Sequence, residues 1–376
     1  MIYLDNSATS YPKPFSVYAK TAEAMLRYSF NSGRGGYKES VNTGEKIYEV
    51  REKVADMFTL SPNGVIFTKN CTEALNIAIR GSVRKGDKIL ISSLEHNSVS
   101  RVVQNLKDDN ITDYDIFNYS FNEDEIIADF KSKITINTAV VVCTHASNVF
   151  GTVFPIRRIG EICKNKGIVF IVDAAQSAGT LNIDMKRDNI DILCAPGHKG
   201  LMGAMGSGLL MINNAQLKPL LFGGTGSRSL SLTQPYDIPE GFEAGTLNNT
   251  GILSVGAGID YINHFGINEI YNHEMSLMSY IYGELDANPD VTLYTLKPQK
   301  GKSVAVLSFN INGFTSEQTA ELLAKEGVCT RAGYHCAPLA HKHFDTAEHG
   351  TVRISLGAFN KIEQCVRFIE LISAIK

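Results

Sequence analysis

The sequence lacks the features that mark several classes of protein. Its 376 residues contain no apolar run close to the roughly 18 residues that a membrane-spanning helix needs. The first residues also lack the basic and apolar regions of a signal peptide. The formal net charge is only -3, which gives no electrostatic basis for binding nucleic acid or an anionic membrane. We therefore expect partners other than nucleic acid or membrane.

Cysteine pairs and nucleotide-binding loops are also missing. The seven cysteines are an odd number, are widely scattered and include no CxxC pair, which argues against a disulfide framework or a zinc knuckle. We expect a cytoplasmic protein whose thiols stay reduced. No glycine-rich segment matches GxxxxGK or a GxGxxG that follows a strand, so the sequence offers no support for nucleoside triphosphate or dinucleotide binding.

The pattern that is present is typical of an α/β protein. Between about residues 60 and 250, short apolar segments alternate with helical patterns, as in the βαβ units of a parallel sheet. The predicted strands are residues 65–68, 88–92, 139–144, 168–173, 190–195 and 208–212, and predicted helices between them include 72–80, 98–106 and 156–166. We therefore predict a mostly parallel central sheet flanked by helices.

After about residue 262 the pattern changes. Its predicted elements are a helix over 268–285, strands near 291–295 and 304–310, a helix over 316–326, a strand over 351–356 and a closing helix from about 361. These elements indicate a smaller α+β lobe. We predict a large α/β domain of residues 15–262 and a small α+β domain formed by residues 1–14 and 263–376.

Polar residues follow five of the predicted strands. They are Asn70 to Thr72, Glu95 with His96, Ser147 with Asn148, Asp173 with Gln176, and His198 with Lys199. In open α/β sheets, ligands bind beyond the carboxyl ends of the strands. Five such ends with polar residues are hard to explain as packing, so we predict a ligand site there.

Lys199 and Asp173 suggest which ligand this is. Lys199 follows a buried strand and lies between His198 and Gly200, where partial desolvation can lower the pKa of an amine and make it nucleophilic. Asp173 ends a strand too apolar for an unpaired carboxylate. A lysine for a Schiff base and an aspartate for a pyridinium nitrogen are what pyridoxal 5'-phosphate (PLP) requires. A surface lysine and a helix-capping aspartate are the alternatives.

The other strand ends supply further candidate contacts. Gln176 and Asn148 can hydrogen-bond the phenolic oxygen of the ring, and Asn148 can also contact substrate. Cys71 and Thr72 begin a helix whose N–H groups and dipole suit a phosphate. His96 can stack on the ring and relay protons. The alternatives are a turn residue for Asn148, a plain N-cap for Thr72 and a structural role for His96.

A cysteine in the smaller lobe has the setting of a reactive thiol. Cys336 lies in a loop between Gly333 and Pro338, where the neighbouring Arg331 and His335 can favour its thiolate. The alternatives are a small residue in a tight turn, or a disfavoured zinc site with three nearby histidines. Arg353, on a later strand, can bind a carboxylate through a bidentate contact, with a surface ion pair as the alternative.

With these residues identified, the chain resembles the class V aminotransferase family, specifically its cysteine desulfurases and selenocysteine lyases. The resemblance covers nearly the full length and rests on residues 3–9 (YLDNSAT), 95–98 (EHNS), 147–152 (SNVFGT), 172–177 (VDAAQS), 197–199 (GHK), 242–246 (FEAGT) and 331–338 (RAGYHCAP). It implies the fold type I PLP-dependent architecture and a homodimer in which Thr246 reaches the phosphate of the neighbouring subunit's cofactor.

Two departures from the family pattern concern the phosphate. Pro196 occupies a position where the family usually has a serine or threonine. Cys71 occupies a position where the family often has a threonine. Phosphate binding is therefore expected to depend more on backbone amides, Thr72, His198 and Thr246.

The resemblance predicts a PLP-dependent cysteine desulfurase. In this hypothesis Arg353, with Asn148 and Arg331, binds the amino acid, and Lys199 moves its α-proton. Cys336 takes the sulfur as a persulfide, alanine leaves, and a sulfur acceptor takes the persulfide. The alternatives are a selenocysteine lyase, a PLP-dependent β-lyase or aminotransferase in which Cys336 is incidental, and a non-enzymatic sulfur carrier or regulator.

Overall fold

A computed structural model describes residues 1–32 and 35–375. The helices are α1 (Phe15–Arg27), α2 (Lys38–Phe58), α3 (Cys71–Ser82), α4 (Asn97–Asp108), α5 (Glu123–Lys133), α6 (Ile156–Lys166), α7 (Asn249–Phe265), α8 (Ile267–Asp286), α9 (Ser316–Lys325), α10 (Pro338–His343) and α11 (Ile362–Ala374). The strands are β1 (Ile2–Tyr3), β2 (Val65–Thr68), β3 (Lys88–Ser92), β4 (Asp113–Phe117), β5 (Thr138–Thr144), β6 (Val169–Asp173), β7 (Ile192–Pro196), β8 (Gly208–Ile212), β9 (Val291–Leu293), β10 (Val306–Ile311), β11 (Val328–Cys329), β12 (Arg331–Gly333) and β13 (Thr351–Ser355).

A seven-stranded sheet forms the larger part of the molecule, in the order β2-β8-β7-β6-β5-β3-β4. Five neighbouring strands, β7, β6, β5, β3 and β4, pair in parallel. Strand β8 runs antiparallel to both β2 and β7. The prediction of a mostly parallel sheet is confirmed. All six predicted strands are present, although β7 begins two residues later than expected.

The central strands are apolar on both faces because helices cover both sides of the sheet. Alternate residues of β5, for example, belong to different clusters: Val141 packs with α5 and α6 residues, whereas Val140 and Val142 pack with α3 and α4 residues. The two clusters hold the strands rigidly. Their carboxyl ends therefore form a fixed platform for the polar residues that follow.

Local capping determines where the two helices nearest the site begin. The Asn70 side chain accepts a hydrogen bond from the backbone N–H of Glu73 at the start of α3 (2.8 Å). The His96 Nδ1 atom accepts one from the N–H of Ser98 at the start of α4 (3.0 Å). Each cap satisfies one of the N–H groups that a helix leaves unpaired at its first turn. Both helices therefore begin directly at the carboxyl ends of their strands.

The smaller lobe contains an antiparallel sheet in the order β12-β13-β10-β9 and a separate parallel pair of β1 with β11. Helices α8 and α11 cover its own apolar cluster, which includes Met278, Leu307 and Phe368. The chain start joins this lobe through β1 and then crosses towards the large sheet, since Ser10 contacts His198. The proposed domain boundaries at residues 14 and 262 stay predictions.

Some elements were not predicted. Strand β4 was not predicted because its sequence, DYDIF, contains two aspartates and forms the partly exposed edge of the large sheet. Helices α1, α2 and α7 were also missed, and α7 combines several glycines with a largely buried surface. Among the residues that the structure describes, no helix combines the length and apolar character needed to cross a bilayer.

Candidate active site

A cavity opens at the carboxyl end of the central sheet. Its volume is about 120 Å³. Its lining comes from the ends of β2, β3, β5, β6 and β7, and includes Cys71, Thr72, His96, Asn148, Asp173, Gln176, His198 and Lys199. Residues from all five polar strand ends therefore line one cavity, and the prediction that this cavity binds a ligand stays a prediction.

Lys199 lines this cavity, three residues after the last residue of β7. Burial lowers the pKa of its amine to about 8, and the positive charge of Arg353 acts in the same direction. The negative charge of Asp173 opposes this shift but does not cancel it. A substantial fraction of the amine is thus neutral near physiological pH, which a nucleophilic lysine requires.

Asp173 lines the cavity, and among the described residues only one of its two carboxylate oxygen atoms accepts hydrogen bonds. Its Oδ1 atom accepts hydrogen bonds from the backbone N–H of Ala175 (2.9 Å) and from the Cys71 thiol (3.6 Å). Among the described residues, no group donates to Oδ2. Asp173 is only 2% exposed, and burial raises the pKa of its carboxyl group. A cationic N–H donor in the cavity would stabilise the charged carboxylate, and a pyridinium nitrogen is such a donor.

The first turns of α3 and α4 form another wall of the cavity. The hydroxyl groups of Thr72 and Ser98 lie 2.8 Å apart, and Ser98 Oγ is 2.9 Å from His96 Nδ1. Burial lowers the pKa of His96 to about 4, with a further contribution from the positive charge of Lys199. His96 is therefore neutral at physiological pH and suited to stacking on a cationic ring. The start of α3 offers backbone N–H groups to an anion.

Glu95, next to His96 in the sequence, stabilises this wall through buried hydrogen bonds. Its Oε1 atom accepts hydrogen bonds from Ser92 Oγ (2.5 Å) and from the backbone N–H of Thr144 (2.6 Å). Complete burial raises the pKa of Glu95 to about 8, so the carboxyl group is protonated at neutral pH. It joins the ends of β3 and β5, and thereby fixes the position of the adjacent His96.

The loop that carries Cys336 is attached to the cavity rim through its backbone. The carbonyl group of Cys336 accepts a hydrogen bond from the N–H of Asn97 (2.7 Å), and that of His335 accepts one from Asn148 Nδ2 (2.8 Å). Both His335 and Cys336 have left-handed backbone conformations, with φ of 48° and 57°. The thiol itself is exposed. A tight, anchored turn therefore holds Cys336 beside His96 and Asn148.

His335 does not supply the positive charge that the sequence suggested. Its Nε2 atom lies 3.0 Å from the carbonyl oxygen of Thr351, and burial lowers its pKa far below the physiological range. The neighbouring His341 pairs with Thr346 (2.7 Å). Within residues 1–32 and 35–375, no group of three or more His, Cys, Asp or Glu side chains is arranged to hold a metal ion.

Arg353 is buried, so it does not form the surface ion pair that was its alternative role. Only 1% of it is exposed, and its guanidinium group donates to Asp5 Oδ1 (2.6 Å) and to the carbonyl group of Asn148 (2.9 Å). Arg331 lies directly opposite on β12, is exposed, and forms no ion pair with any residue that the structure describes. Arg331 thus leaves an unbalanced positive charge beside the site. Binding of substrate by Arg331 and Arg353 stays a prediction.

Thr246 is the one predicted cofactor contact that lies elsewhere. It is exposed in the segment before α7 and does not line the cavity of its own chain. Gln176, by contrast, lines the cavity and donates to the backbone carbonyl group of Ser7 (3.1 Å). This hydrogen bond joins the chain start to a residue of the cavity wall.

The sequence analysis did not assign roles to several residues of this site. Ser98 bridges Thr72 and His96, and Asp5 pairs with Arg353. Both residues lie within segments on which the family resemblance rests, so that resemblance could have identified them. Lys13 had no such signal, although its amine contacts the backbone of His198 (2.5 Å).

Comparison with known proteins agrees with this geometry. The profile of the family described as aminotransferase class-V matches residues 2–368. The chain belongs to the class-V aminotransferase family.

Relatives and solved structures of this member of the class-V aminotransferase family match nearly its whole length. It is 34% identical to a probable cysteine desulfurase of Methanothermobacter thermautotrophicus, over 96% of this chain and 92% of the relative. It is 33% identical to a probable cysteine desulfurase of Pyrococcus abyssi, over 100% and 94%. The solved apo structure of a cysteine desulfurase from Thermococcus onnurineus superposes with a TM-score of 0.91 at 32% identity, covering 99% of this chain and 93% of that chain. The predicted fold type I architecture is confirmed.

Proposed function

We propose that this member of the class-V aminotransferase family is a PLP-dependent cysteine desulfurase, which converts L-cysteine to L-alanine and takes the sulfur as a persulfide on Cys336. The observation that carries the proposal is the attachment of the Cys336 loop to Asn97 and Asn148, at the rim of the cavity that contains Lys199. The names of the relatives support the same reaction.

The cavity fits PLP in three respects. Asp173 offers a free carboxylate oxygen to a pyridinium nitrogen, the start of α3 offers N–H groups and Thr72 to a phosphate, and neutral His96 offers a ring for stacking. Asn148 and Gln176 supply amide groups for the phenolic oxygen. When bound, PLP supplies an aldehyde that condenses with amines and a ring that withdraws electrons. Cys71 contributes by donating to Asp173.

The substrate carboxylate is proposed to lie near Arg331 and Arg353. Asp5 already neutralises Arg353, so the pair of arginines carries one positive charge in excess. A carboxylate would balance this charge, and Asn148 lies beside it because its carbonyl group accepts from Arg353. This placement would leave the substrate sulfur towards the Cys336 loop.

The chemical steps then divide between Lys199 and Cys336. The neutral Lys199 amine takes the proton from the substrate Cα atom. The Cys336 thiolate attacks the substrate sulfur, so an S–S bond forms as the C–S bond breaks. The electron pair of the C–S bond stays with the Cβ atom, which gains a proton, and Lys199 returns its proton to the Cα atom to give alanine. The substrate sulfur is oxidised while carbon is reduced, and no external oxidant is needed.

A homodimer is part of the proposal. The segment before Thr246 exposes large apolar side chains, among them Phe222 (73% exposed), Leu230 and Leu232 (both fully exposed), and α1 exposes Phe15 and Leu26. Monomeric proteins rarely expose this much apolar surface. Burial against a second copy would cover it, and would allow Thr246 to reach the phosphate in the neighbouring subunit.

The persulfide is proposed to pass to a sulfur-acceptor protein, because an exposed sulfur at a chain turn is open to a second thiol. A cytoplasmic location suits this chemistry, since Cys336 must stay reduced between turnovers. Selenocysteine is the alternative substrate, as selenium differs from sulfur mainly in size and polarisability.

Product analysis tests the function. The purified protein, loaded with PLP, would be supplied in parallel with cysteine, selenocysteine and cystine, with and without a reductant. A desulfurase gives alanine from cysteine, a β-lyase gives pyruvate and ammonia, and an aminotransferase gives a keto acid. We expect alanine from the wild-type protein and almost none from Cys336→Ala. Undiminished alanine and sulfide from Cys336→Ala would sink the proposed mechanism.

A further inference from the structure

The chain start forms a clamp over the backbone that carries the predicted Schiff-base lysine. The carbonyl oxygen of His198 lies within hydrogen-bond distance of Lys13 Nζ (2.5 Å), Thr9 Oγ1 (3.0 Å) and the backbone N–H of Ser10 (3.2 Å). The Ser10 hydroxyl group donates to the carbonyl oxygen of Lys199 itself (2.9 Å). The carbonyl groups of His198 and Lys199 thus both accept hydrogen bonds from the short segment of residues 9–13.

Lys13 is the unusual member of this clamp. Its amine is partly buried and donates only to oxygen atoms that carry no formal charge, those of Ser10 (2.8 Å) and His198. Burial lowers its pKa to about 8, and no carboxylate among the described residues compensates for it. Burying an ammonium group without a counter-ion costs free energy. Neutral donors already reach the same carbonyl group, so cross-linking alone does not account for a charge at this position.

We propose that Lys13 is a positioning residue for Lys199, which acts by holding the His198 carbonyl group with a charged donor. A charge-assisted hydrogen bond is stronger than a neutral one. It restrains the peptide unit that joins His198 to Lys199, and so restrains the direction in which both side chains enter the cavity. Small displacements of catalytic groups reduce rates markedly, so such a restraint has a functional effect.

The clamp also determines how the His198 ring can serve an anion. The ring Nδ1 atom lies 3.0 Å from Thr9 Oγ1. The Thr9 hydroxyl group has one proton, which it can donate either to the His198 carbonyl oxygen (3.0 Å) or to Nδ1, so these two contacts compete. When Lys13 and the Ser10 N–H occupy the carbonyl oxygen and Thr9 donates to Nδ1, the neutral imidazole carries its proton on Nε2, as a hydrogen-bond donor for an anionic ligand in the cavity. Loss of Lys13 would free the carbonyl oxygen to compete for the Thr9 hydroxyl group.

The inference rests on the proposed function, because PLP is the ligand by which it is tested. Three variants of the full-length protein separate charge, contact and general destabilisation. Lys13→Met removes both the donor and the charge, and Lys13→Arg keeps both. Lys20→Met is the matched control, since Lys20 lies nearby on α1 and pairs only with Glu23 at the surface. Each variant would be titrated with PLP, assayed for kcat and KM with cysteine, and studied by hydrogen exchange of the cofactor-free protein.

We expect Lys13→Met to weaken PLP binding by about tenfold, the lower end of what a hydrogen bond to a charged group contributes. Its kcat should fall by a similar factor with a smaller change in KM, and amide exchange should accelerate over residues 197–203. Lys13→Arg should restore at least half of each loss, and Lys20→Met should match the wild type. If Lys13→Met matches Lys20→Met in affinity, kcat and exchange, Lys13 does not position Lys199.

Two further outcomes are decisive. If the wild-type protein takes up no PLP, the proposed function fails, and the exchange of residues 197–203 in the cofactor-free variants still decides the clamp. If Lys13→Met lowers thermal stability and accelerates exchange throughout the protein, with no rescue by Lys13→Arg, the role of Lys13 is general stability and the inference is wrong.

Discussion

The site at the sheet ends and the loop of Cys336 hold their reactive groups in different ways. Lys199 and Asp173 follow buried strands, and apolar clusters on both faces of the sheet keep those strands in place. Cys336 is exposed at a turn with left-handed φ values, and its own carbonyl group and that of His335 hydrogen-bond to residues at the rim of the cavity. One region is rigid and desolvated, and the other is anchored but open.

This difference matches two chemical demands. Proton transfer at carbon needs shifted pKa values, and burial produces them at Lys199 and Asp173. Sulfur transfer needs a nucleophile that meets the substrate and then a second molecule. An exposed residue on an anchored turn meets both requirements. If the comparison is right, variants of the buried site should abolish chemistry or cofactor binding, whereas variants of the loop attachment should affect only sulfur transfer.

The largest effect is expected for Lys199→Ala. Loss of the amine removes the predicted covalent attachment of PLP and the proton transfer, which alone is worth about 10²–10⁴-fold in rate. The purified variant should lack the visible absorbance of the lysine-bound cofactor and should produce no measurable alanine. Retention of that absorbance would remove Lys199 from its role. Thermal unfolding of the cofactor-free variant serves as the control for folding.

Asp173→Asn should have the second-largest effect. The amide cannot stabilise a pyridinium nitrogen by charge, so we expect a loss of about 10²-fold in kcat, comparable to removal of one electrostatic contact to a transition state. Steady-state assays of alanine formation measure it. The rate at which a thiol reagent labels Cys336 should stay unchanged in this variant. A parallel change in labelling would contradict the separation of the two regions.

Asn148→Ala tests the loop attachment and should have a smaller effect. It removes the hydrogen bond to the His335 carbonyl group (2.8 Å), as well as the predicted amide contacts to the cofactor and substrate. We expect alanine formation to fall by about tenfold, equivalent to one net hydrogen bond. Amide exchange over residues 334–337 should accelerate while exchange over 169–173 stays slow. Equal acceleration in both segments would show that the loop and the sheet end are one cooperative unit.

The pH dependence of cofactor uptake should show the smallest effect. Only the neutral Lys199 amine attacks an aldehyde, and its pKa is lowered to about 8. The rate of PLP uptake by the cofactor-free protein should therefore rise about fivefold from pH 7 to pH 8 and level off above that range, as the neutral fraction does. Stopped-flow absorbance measures this rate. A steady rise up to pH 10 would indicate an amine with an ordinary pKa.

The sequence predicted the large sheet well because strands buried on both faces are continuous apolar segments. For the same reason the strand-end residues, including Asp173 and Lys199, could be assigned to one site by topology alone. Strand β4 was missed since its exposed edge carries charged residues. Long helices such as α2 were missed because their periodicity is mixed with many polar residues.

Contacts between segments that are distant in the chain could not be predicted from the sequence. The pairing of Asp5 with Arg353 and the clamp of Lys13 on His198 join residues far apart in the chain. No local pattern encodes which carbonyl group a lysine contacts. The neutral state of His335 was also unpredictable, because its lowered pKa results from burial and from the positive charge of the distant Arg353.

The distribution of thiols has a practical consequence. Five of the seven cysteines are buried, Cys329 is partly covered, and Cys336 is exposed. A maleimide dye added briefly to the native protein should therefore mark one position without mutagenesis. The attached fluorophore would report in real time whether the turn moves when substrate enters or when an acceptor protein approaches.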